Sequence, residues 1–233
     1  MSDNREALLH KPLRMLRSPR LILSVTLLLT LGMSLYSYRA VHSEIEFGVR
    51  QRAEKLKNVL TFRLQTYVNA LTQTRALFVA TDNNVNRQSF QAYVYGIDPP
   101  RQYPGIQGIG YTVRIPAARL AAHIAEIRKS GYPTYRVWPE HARPEYFAVL
   151  YLEPFDWRNQ RAFGYDMFSD PIRRAAMERA RDSGQPAASS RVTLVQETDV
   201  DRQAGFLIYT PVYRPHVSVK TVAERRAALV GFV

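Results

Sequence analysis

Near the amino terminus, eighteen consecutive residues carry no charge: Leu21 to Tyr38 read LILSVTLLLTLGMSLYSY. As a helix rising 1.5 Å per residue, this run would be about 27 Å long, enough to cross the hydrocarbon core of a bilayer. A cleaved signal peptide would have a shorter apolar region followed by a small-residue cleavage site. Here the run ends in Tyr36, Tyr38 and Arg39, a pattern typical of an interfacial anchor. The pattern therefore favours an uncleaved transmembrane helix over residues 21–38, with a signal peptide as the alternative.

Basic residues come before this apolar run. Lys11, Arg14, Arg17 and Arg20 all precede it, and the positive-inside rule then assigns residues 1–20 to a cytoplasmic tail. We expect the chain to cross the inner (plasma) membrane once, with everything after Tyr38 in the periplasm or outside the cell.

The net charge of the chain is +12, which raises the question of a nucleic-acid partner. The charge is spread along the chain, and no basic stripe coincides with a nucleic-acid recognition motif. A basic surface close to anionic lipid headgroups explains the charge more simply. The membrane is thus a predicted partner and nucleic acid is not.

Residues 39–82 have the pattern of one long helix. They contain no proline and one glycine, and their apolar residues recur with helical spacing: Ile45, Val49, Ala53, Leu56, Leu60, Leu64, Tyr67, Leu71 and Phe78. About forty residues of helix exceed the usual globular length. We predict an extracytoplasmic stalk helix that packs along a partner copy or a following domain, and the pattern does not decide whether it carries a signal or only acts as a spacer.

Residues 83–153 alternate between helix and strand patterns. The sequence predicts a short helix from Asn86 to Tyr95, a strand from Ile106 to Ile115, and a helix between Pro116 and Gly131. Two more strands are predicted at Thr134–Trp138 and Tyr146–Leu152.

The remaining residues continue this mixture. Asp170, Pro171 and Gly184 punctuate a helix, and Thr221 with Glu224 has the spacing of a capping box. Predicted strands cover Arg191–Gln196, Gly205–Tyr213 and Ala228–Val233, the first two as an antiparallel pair. The fold class is therefore α+β, with helices set against an antiparallel sheet. Since the sequence stops inside an apolar strand, we expect it to be the amino-terminal part of a longer protein.

The segment LEPFDWRNQRAFGYDMFSDP contains four carboxylates, Glu153, Asp156, Asp166 and Asp170. A pair of carboxylates could serve a glycoside hydrolase. Against this, Asp170 is the predicted helix cap, and Asp156 lies beside arginines that would keep it ionised. The chain has no cysteine, its five histidines lack metal-ligand spacing, and no nucleotide-binding or nucleophile-elbow motif occurs. We therefore predict no catalytic residue, no metal and no cofactor.

Aromatic side chains suggest a ligand pocket instead. Aromatic walls with hydroxyl groups would come from three predicted segments, and an acid or a hydroxyl would orient the ligand; the candidates are Tyr146, Tyr165, Asp166, Phe168, Thr193, Phe206 and Tyr209. Period two places Phe206 on one face of its strand and Tyr209 on the other. The alternative, equally supported for any one residue, is an ordinary aromatic core.

Several short motifs occur in a characteristic order. They are Pro104-Gly105-x-x-Gly108-x-Gly110-Tyr111; Glu153-Pro154, Asn159, Gly164-Tyr165-Asp166 and Arg173; Ala176 to Ala180 with Ser183-Gly184; Thr210-Pro211-Val212-Tyr213; and Val230-Gly231-Phe232. Together, over about residues 84–233, they resemble the CHASE domain, the extracellular sensor domain of bacterial histidine kinases and diguanylate cyclases and of plant cytokinin receptors.

The resemblance implies a stalk helix carrying two PAS-like modules, with a small ligand bound in the membrane-distal one. It also implies a homodimer that signals through a second membrane helix to a cytoplasmic output enzyme, a histidine kinase or a diguanylate cyclase. Residues 83–233 would then be the distal module of a CHASE-like sensor domain, with the second module incomplete. An adenine-binding acid is not evident, because Arg143-Pro144-Glu145-Tyr146 has proline at the expected place. A ligand-free dimerisation or protein-interaction module is the alternative.

Overall fold

The structure is a computed structural model that describes residues 19–195 and 204–233, with side chains given outside residues 40–48 and 204. The chain divides into two compact units, Met1–Phe62 and Arg63–Val233. The predicted tail, residues 1–20, lies almost wholly outside the described residues.

Helix α1 covers Pro19–Ala80. It includes the predicted transmembrane run, residues 21–38, and residues 39–80 of the predicted stalk, so the helical nature of these residues is confirmed. The last two predicted stalk residues, Thr81 and Asp82, lie in a turn. In the first unit, Pro19–Arg39 has a mean hydropathy of 1.7 and none of its apolar window is buried. This segment is a candidate membrane span by length and composition. Membrane insertion itself stays a prediction.

In the second unit, the end of α1 packs into the core. Ala70, Thr74 and Phe78, spaced four residues apart on one helix face, are at most 1 % exposed. Asp82 and Asn83 then adopt positive φ angles of 49° and 61° and turn the chain. A capping box formed by Asn86 and Ser89 starts helix α2, Arg87–Ile97, as predicted, and the single turn α3, Pro99–Gln102, follows.

Within residues 103–195 and 204–233, eight strands follow in chain order, and four of them form the main sheet. The strands are β1 (Ile109–Pro116), β2 (Glu145–Glu153), β3 (Ala187–Ala188), β4 (Val192–Thr193), β5 (Ala204–Gly205), β6 (Ile208–Tyr209), β7 (Pro211–Tyr213) and β8 (Leu229–Phe232). The main sheet has the order β2-β1-β8-β7 and all its pairs are antiparallel. Strands β3 and β6 form one small pair, and β4 and β5 another.

The described residues after α3 also form three helices: α4 (Leu120–Lys129), α5 (Pro171–Ser183) and α6 (Val222–Ala228). The predicted caps are confirmed. Asp170 accepts the N–H groups of Ile172 and Arg173, Gly184 is left-handed at the end of α5, and Thr221 with Glu224 forms the capping box of α6. Short 3-10 turns occupy Ala117–Arg119, Asn159–Ala162 and Met167–Ser169.

Apolar clusters cover the main sheet. One cluster joins α1 and α2 to the sheet and includes Phe78, Phe90 and Tyr111. Another joins α5 to the sheet and includes Phe147, Met177 and Phe232. An antiparallel sheet with helices packed on it through such clusters confirms the α+β class.

Two predicted strands are wrong in detail. Thr134–Trp138 is not a strand, since only Trp138 makes an isolated bridge, to Tyr165. The alternating apolar pattern of Tyr135 and Val137 reflects burial of their side chains in a cluster with Ile115. It does not reflect pairing of the backbone in a sheet.

The predicted strand Gly205–Tyr213 divides into pieces of β5, β6 and β7, each with a different partner. Part of the predicted pairing is confirmed, since Val192 and Thr193 pair with Gly205 and Ala204. Gln196, the predicted end of the partner strand, lies outside the described residues.

Candidate functional site

A cavity of about 410 Å³ lies in the second unit, beside the first half of β1. Its walls come from the end of α1 (Tyr67, Leu71), residues 105–110 with Thr112, β2 (Val149, Leu152) and residues 205–209. Met167, Leu194 and Val233 complete them. Among the lining residues that the structure describes, none carries a charge. The described lining of the cavity is therefore mostly apolar and uncharged.

Two glycines, Gly108 and Gly110, let β2 approach the start of β1 closely. A Cβ atom at Gly108 would lie 2.9 Å from the carbonyl oxygen of Glu153, and one at Gly110 would lie 2.9 Å from the carbonyl oxygen of Tyr151. Any side chain at either position would push β1 and β2 apart. The Gly-x-Gly pattern thus sets the geometry of this side of the cavity.

The polar groups at the cavity are hydroxyls and an amide. The Tyr67 hydroxyl donates a hydrogen bond to the carbonyl oxygen of Pro104 at 2.6 Å. Burial raises the pKa of the Tyr209 hydroxyl, which lies 3.8 Å from the sulfur of Met167. In the described part of the chain, Nε2 of Gln107 is buried without a hydrogen-bond partner. Thr112 adds a buried hydroxyl-bearing side chain.

Two of the predicted ligand-binding residues line the cavity, Phe206 and Tyr209. Phe206 is 47 % exposed and Tyr209 is 4 % exposed. Phe206 therefore contributes an accessible part of the wall and Tyr209 a buried part. The other five predicted residues, Tyr146, Tyr165, Asp166, Phe168 and Thr193, are not among the lining residues.

Asp166 is fully buried and both its carboxylate oxygens bind protein groups. Oδ2 lies 2.6 Å from Nη1 of Arg143. Oδ1 accepts the backbone N–H groups of Phe147 at 2.8 Å and Phe168 at 3.1 Å. Through these hydrogen bonds the carboxylate connects the turn at residues 166–168 to β2. Contact of Asp166 with a ligand stays a prediction.

Tyr146 and Phe168 lie in packed surroundings. The Tyr146 hydroxyl accepts the N–H of Arg143 and donates to the carbonyl oxygen of His141, both at 3.1 Å. The ring of Phe168 lies 4.2 Å from that of Phe147, centroid to centroid. These contacts match the alternative of an aromatic core for these two residues.

Tyr165 and Thr193 both contact Arg173, which is only 2 % exposed. The guanidinium lies 5.0 Å from the centroid of the Tyr165 ring and donates to the carbonyl oxygen of Thr193 at 2.8 Å. Its Nη1 lies 3.2 Å from the sulfur of Met167. Arg173 therefore contacts a residue of the cavity wall, Met167, without lining the cavity itself.

The sequence did not lead us to predict the cavity residues at the end of α1 and around the start of β1. Tyr67 and Leu71 belong to the predicted stalk, and their apolar spacing gave no sign of which neighbour they face. Gly108 and Gly110 did give a signal, since two glycines at the start of a strand mark a close approach of another backbone.

The four carboxylates of residues 152–171 do not form one site. Glu153 is fully buried at the end of β2, and burial raises the pKa of its carboxyl. Asp156 accepts the backbone N–H groups of Arg158 and Asn159, and Asp170 caps α5. Among the described residues, no group of three histidine, aspartate or glutamate side chains could hold a metal ion.

Comparison with known proteins identifies a family and a curated relative. The family model of the CHASE domain matches residues 83–233. A curated relative, hybrid signal transduction histidine kinase A of Dictyostelium discoideum, is 23 % identical over 224 residues, which is 90 % of this chain and 10 % of the relative. The chain thus spans about a tenth of that relative's length.

The fold and the cavity define an α+β domain with a pocket whose described lining residues are uncharged. The family match covers more than half of the chain, and the chain belongs to the CHASE domain family. CHASE domains are extracellular sensor domains found on histidine kinases.

Proposed function

We propose that this chain is the membrane-anchored sensor region of a signalling protein and that it binds a small uncharged ligand in the cavity beside β1. One observation carries the proposal: a CHASE domain contains a cavity of about 410 Å³ without a charged lining side chain in the described chain. Residues 83–233 would be the PAS-like, membrane-distal module that binds the ligand.

The chemistry of the cavity supports a small-molecule ligand. Its volume lies within the range of about 300–1,000 Å³ that is usual for such pockets. Apolar walls with a few polar groups are the usual composition of these sites. Gln107 and Tyr209 are the polar groups best suited to fix a ligand's orientation, since one has an unpaired N–H and the other only a weak sulfur contact.

The amino-terminal helix supports membrane anchoring. Its apolar side chains are exposed, with Leu23 and Leu27 each 70 % exposed, and a bilayer would remove them from water. Lys11, Arg14, Arg17 and Arg20 precede the apolar run Leu21–Tyr38. The proposed topology therefore keeps the tail in the cytoplasm and the CHASE domain outside.

The output enzyme would lie in sequence beyond residue 233. The relative's name describes a histidine kinase, and the match covers only a tenth of it. We propose a histidine kinase or a diguanylate cyclase as the output. Sequencing the coding region downstream distinguishes the two, because a phosphoacceptor histidine region and a diguanylate cyclase region differ clearly.

Ligand binding is tested by thermal melting of the full chain in maltoside micelles against a library of purines and organic acids. We expect at least one uncharged compound to raise the melting temperature. Phe206→Ala should weaken that compound's binding by about tenfold or more, since it removes an aromatic wall. Tyr95→Ala removes a ring that is 58 % exposed and does not line the cavity, and it should leave binding unchanged. If no compound shifts the melting temperature, or if both variants behave alike, the cavity does not bind ligand as proposed.

Dimerisation is the second candidate function, and α1 provides its observation. In the first unit, Val49, Leu56 and Leu60 are 60 %, 64 % and 60 % exposed, with spacings of seven and four residues. Such spacing is typical of a two-stranded coiled-coil seam. We propose that a second copy of the chain covers this stripe.

Sedimentation of the full chain in micelles tests the dimer. Leu56→Glu with Leu60→Glu should shift the population towards monomer, whereas Asn58→Glu, on a neighbouring exposed position, should not. A wild-type chain that is monomeric at micromolar concentration would contradict the proposed dimer. The proposal of ligand binding does not depend on that outcome.

A further inference from the structure

A guanidinium in the second unit is surrounded by aromatic rings. The Cζ atom of Arg87 lies 4.7 Å from the ring centroid of Tyr132, 5.4 Å from that of Tyr151, and 4.8 Å from those of Phe155 and Phe163. All four distances are within the roughly 6 Å at which a cation interacts with an aromatic face. We refer to these four rings as the aromatic cage.

The rings of the cage support one another. The Tyr132 centroid lies 5.1 Å from that of Phe163, and the Phe155 centroid lies 5.6 Å from that of Phe163, both in edge-to-face geometry. Tyr132 follows α4, Tyr151 and Phe155 lie in or directly after β2, and Phe163 follows the turn Asn159–Ala162, and each ring is half-buried. The cage is therefore preassembled by packing, and each ring keeps some exposure to solvent.

The hydrogen bonds of Arg87 leave much of its capacity unused. Nη2 donates to the carbonyl oxygen of Leu150 at 2.7 Å, and Nη1 is buried without a partner in the described chain. No carboxylate of the described residues lies within 4.0 Å of the guanidinium. Arg87 is half-buried and faces the four rings at cation–π distance. Its charge also opposes the burial that raises the pKa of the Glu153 carboxyl.

We propose that the aromatic cage is a binding site for small organic cations, namely guanidinium compounds and methylated ammonium compounds, and that Arg87 is its built-in competitor. The recognition is chemical: ring faces attract a cation whose charge is delocalised or shielded by methyl groups, and they need no acid to do so. No residue of the cage lines the neutral cavity, although Tyr151 belongs to β2, which also contributes to a cavity wall. The cage is thus a second site, separate from the lining of the proposed ligand pocket.

Displacement of Arg87 would alter how α2 is held. Arg87 is the first residue of α2 and follows the turn that ends α1. Its side chain connects the start of α2 to β2 through the carbonyl oxygen of Leu150. A cation that occupies the cage would replace this connection, so binding at the cage would be communicated to the turn between α1 and α2.

The test uses the full chain in maltoside micelles, which lack the choline headgroup that would itself compete. The probes are tetramethylammonium chloride and methylguanidinium chloride, with sodium chloride at equal ionic strength as the reference. Arg87→Ala empties the cage, and Arg101→Ala removes an exposed arginine elsewhere. We expect both probes to bind Arg87→Ala at least tenfold more tightly than wild type or Arg101→Ala, measured by the shift in melting temperature.

A second comparison applies even if Arg87→Ala does not fold. Saturation-transfer NMR on the methyl protons of tetramethylammonium should show contact with the wild-type chain, reduced at least twofold in Phe155→Leu. Equal signals in wild type and Phe155→Leu would overturn the proposal. So would equal probe affinities of folded Arg87→Ala and Arg101→Ala.

Discussion

Nη1 of Arg143 lies 2.6 Å from Oδ2 of Asp166, and the aspartate is completely buried. The pair connects the loop before β2 to the turn that precedes α5. The other oxygen of Asp166 accepts two backbone N–H groups, so the carboxylate has a protein partner on each oxygen. An acid that the sequence marked for ligand binding thus has a structural task in the fold.

Asp166→Ala should therefore destabilise the domain strongly. The change leaves the guanidinium of Arg143, which is 16 % exposed, without its partner and leaves the N–H groups of Phe147 and Phe168 unbonded. Breaking such a pair costs about 3–5 kcal/mol. Chemical denaturation followed by circular dichroism measures the loss of unfolding free energy.

The matched control is Glu140→Gln, which removes an acid that is 71 % exposed and lies 3.4 Å from Arg136. It should change the unfolding free energy by less than about 1 kcal/mol. A stable Asp166→Ala variant that has lost ligand binding would instead assign Asp166 to the ligand.

Gly231 in β8 should not tolerate a side chain. It pairs with Val113 of β1 on one side and with Val212 of β7 on the other. A Cβ atom there would collide with the carbonyl oxygen of Thr112 and lie 2.8 Å from the ring of Tyr111. Overpacking of this kind costs about 1–3 kcal/mol, and we expect Gly231→Ala to lower the unfolding free energy by that amount.

Gly96 in α2 provides the opposite case. A Cβ atom at Gly96 would meet nothing within 4 Å. Gly96→Ala should therefore stabilise the domain by about 0.5–1 kcal/mol, because alanine favours the helix. Thermal melting of both variants checks whether Gly231→Ala lowers the melting temperature and Gly96→Ala raises it. If the two glycine variants had the same effect, the close packing of β8 against β1 would be refuted.

The elements with local signals could be predicted from the sequence. Asp170, Gly184 and the Thr221–Glu224 pair mark helix ends through groups a few residues apart, and each mark is confirmed. The false strand at Thr134–Trp138 arose because burial of Tyr135 and Val137 gives the same alternation as a sheet. Local patterns therefore predicted helices better than strand partners.

The cavity was less accessible to sequence reasoning because its walls are far apart in the chain. Tyr67 meets Pro104 across 37 residues, and Val149 reaches the same cavity from β2. Aromatic content pointed to Phe206 and Tyr209, which do line it. It pointed equally to Phe168, whose ring packs on Phe147, since composition alone does not say which face of the sheet an aromatic residue covers.

Glu153 should make the domain less stable as the pH rises above the acidic range. Burial raises the pKa of this carboxyl from its ordinary value of 4.5, although a hydrogen bond with Gln91, the N–H of Phe155 and the charge of Arg87 oppose the rise. The folded state therefore favours the protonated form. Its contribution is fully present below pH 4.5 and is lost as the pH rises through the raised pKa of the folded state.

Glu153→Gln removes the titrating group and keeps its shape. We expect this variant to be at least as stable as wild type at pH 8 and to lack the decline above pH 4.5. Denaturation at pH 4.5, 6 and 8 measures the difference. Parallel pH profiles for the two proteins would show that Glu153 does not titrate in this way.

Asp182 should have the opposite pH dependence. Its carboxylate lies 2.6 Å from Nη2 of Arg226 and 2.7 Å from Nε of Arg181, and these hydrogen bonds hold its pKa well below the ordinary value of 3.8. A depressed pKa means that the contribution to stability is present above pH 3.8 and is lost as the pH falls towards the folded-state pKa. Because the side chain of Arg226 is 56 % exposed, solvent weakens the pair.

Asp182→Asn should therefore lower the unfolding free energy by only about 1 kcal/mol at pH 7. The cost should shrink in 1 M sodium chloride, since salt screens exposed charges, and also below pH 3. A loss of stability in Asp182→Asn that is independent of both salt and pH would mean that Asp182 acts through packing and not through its charge.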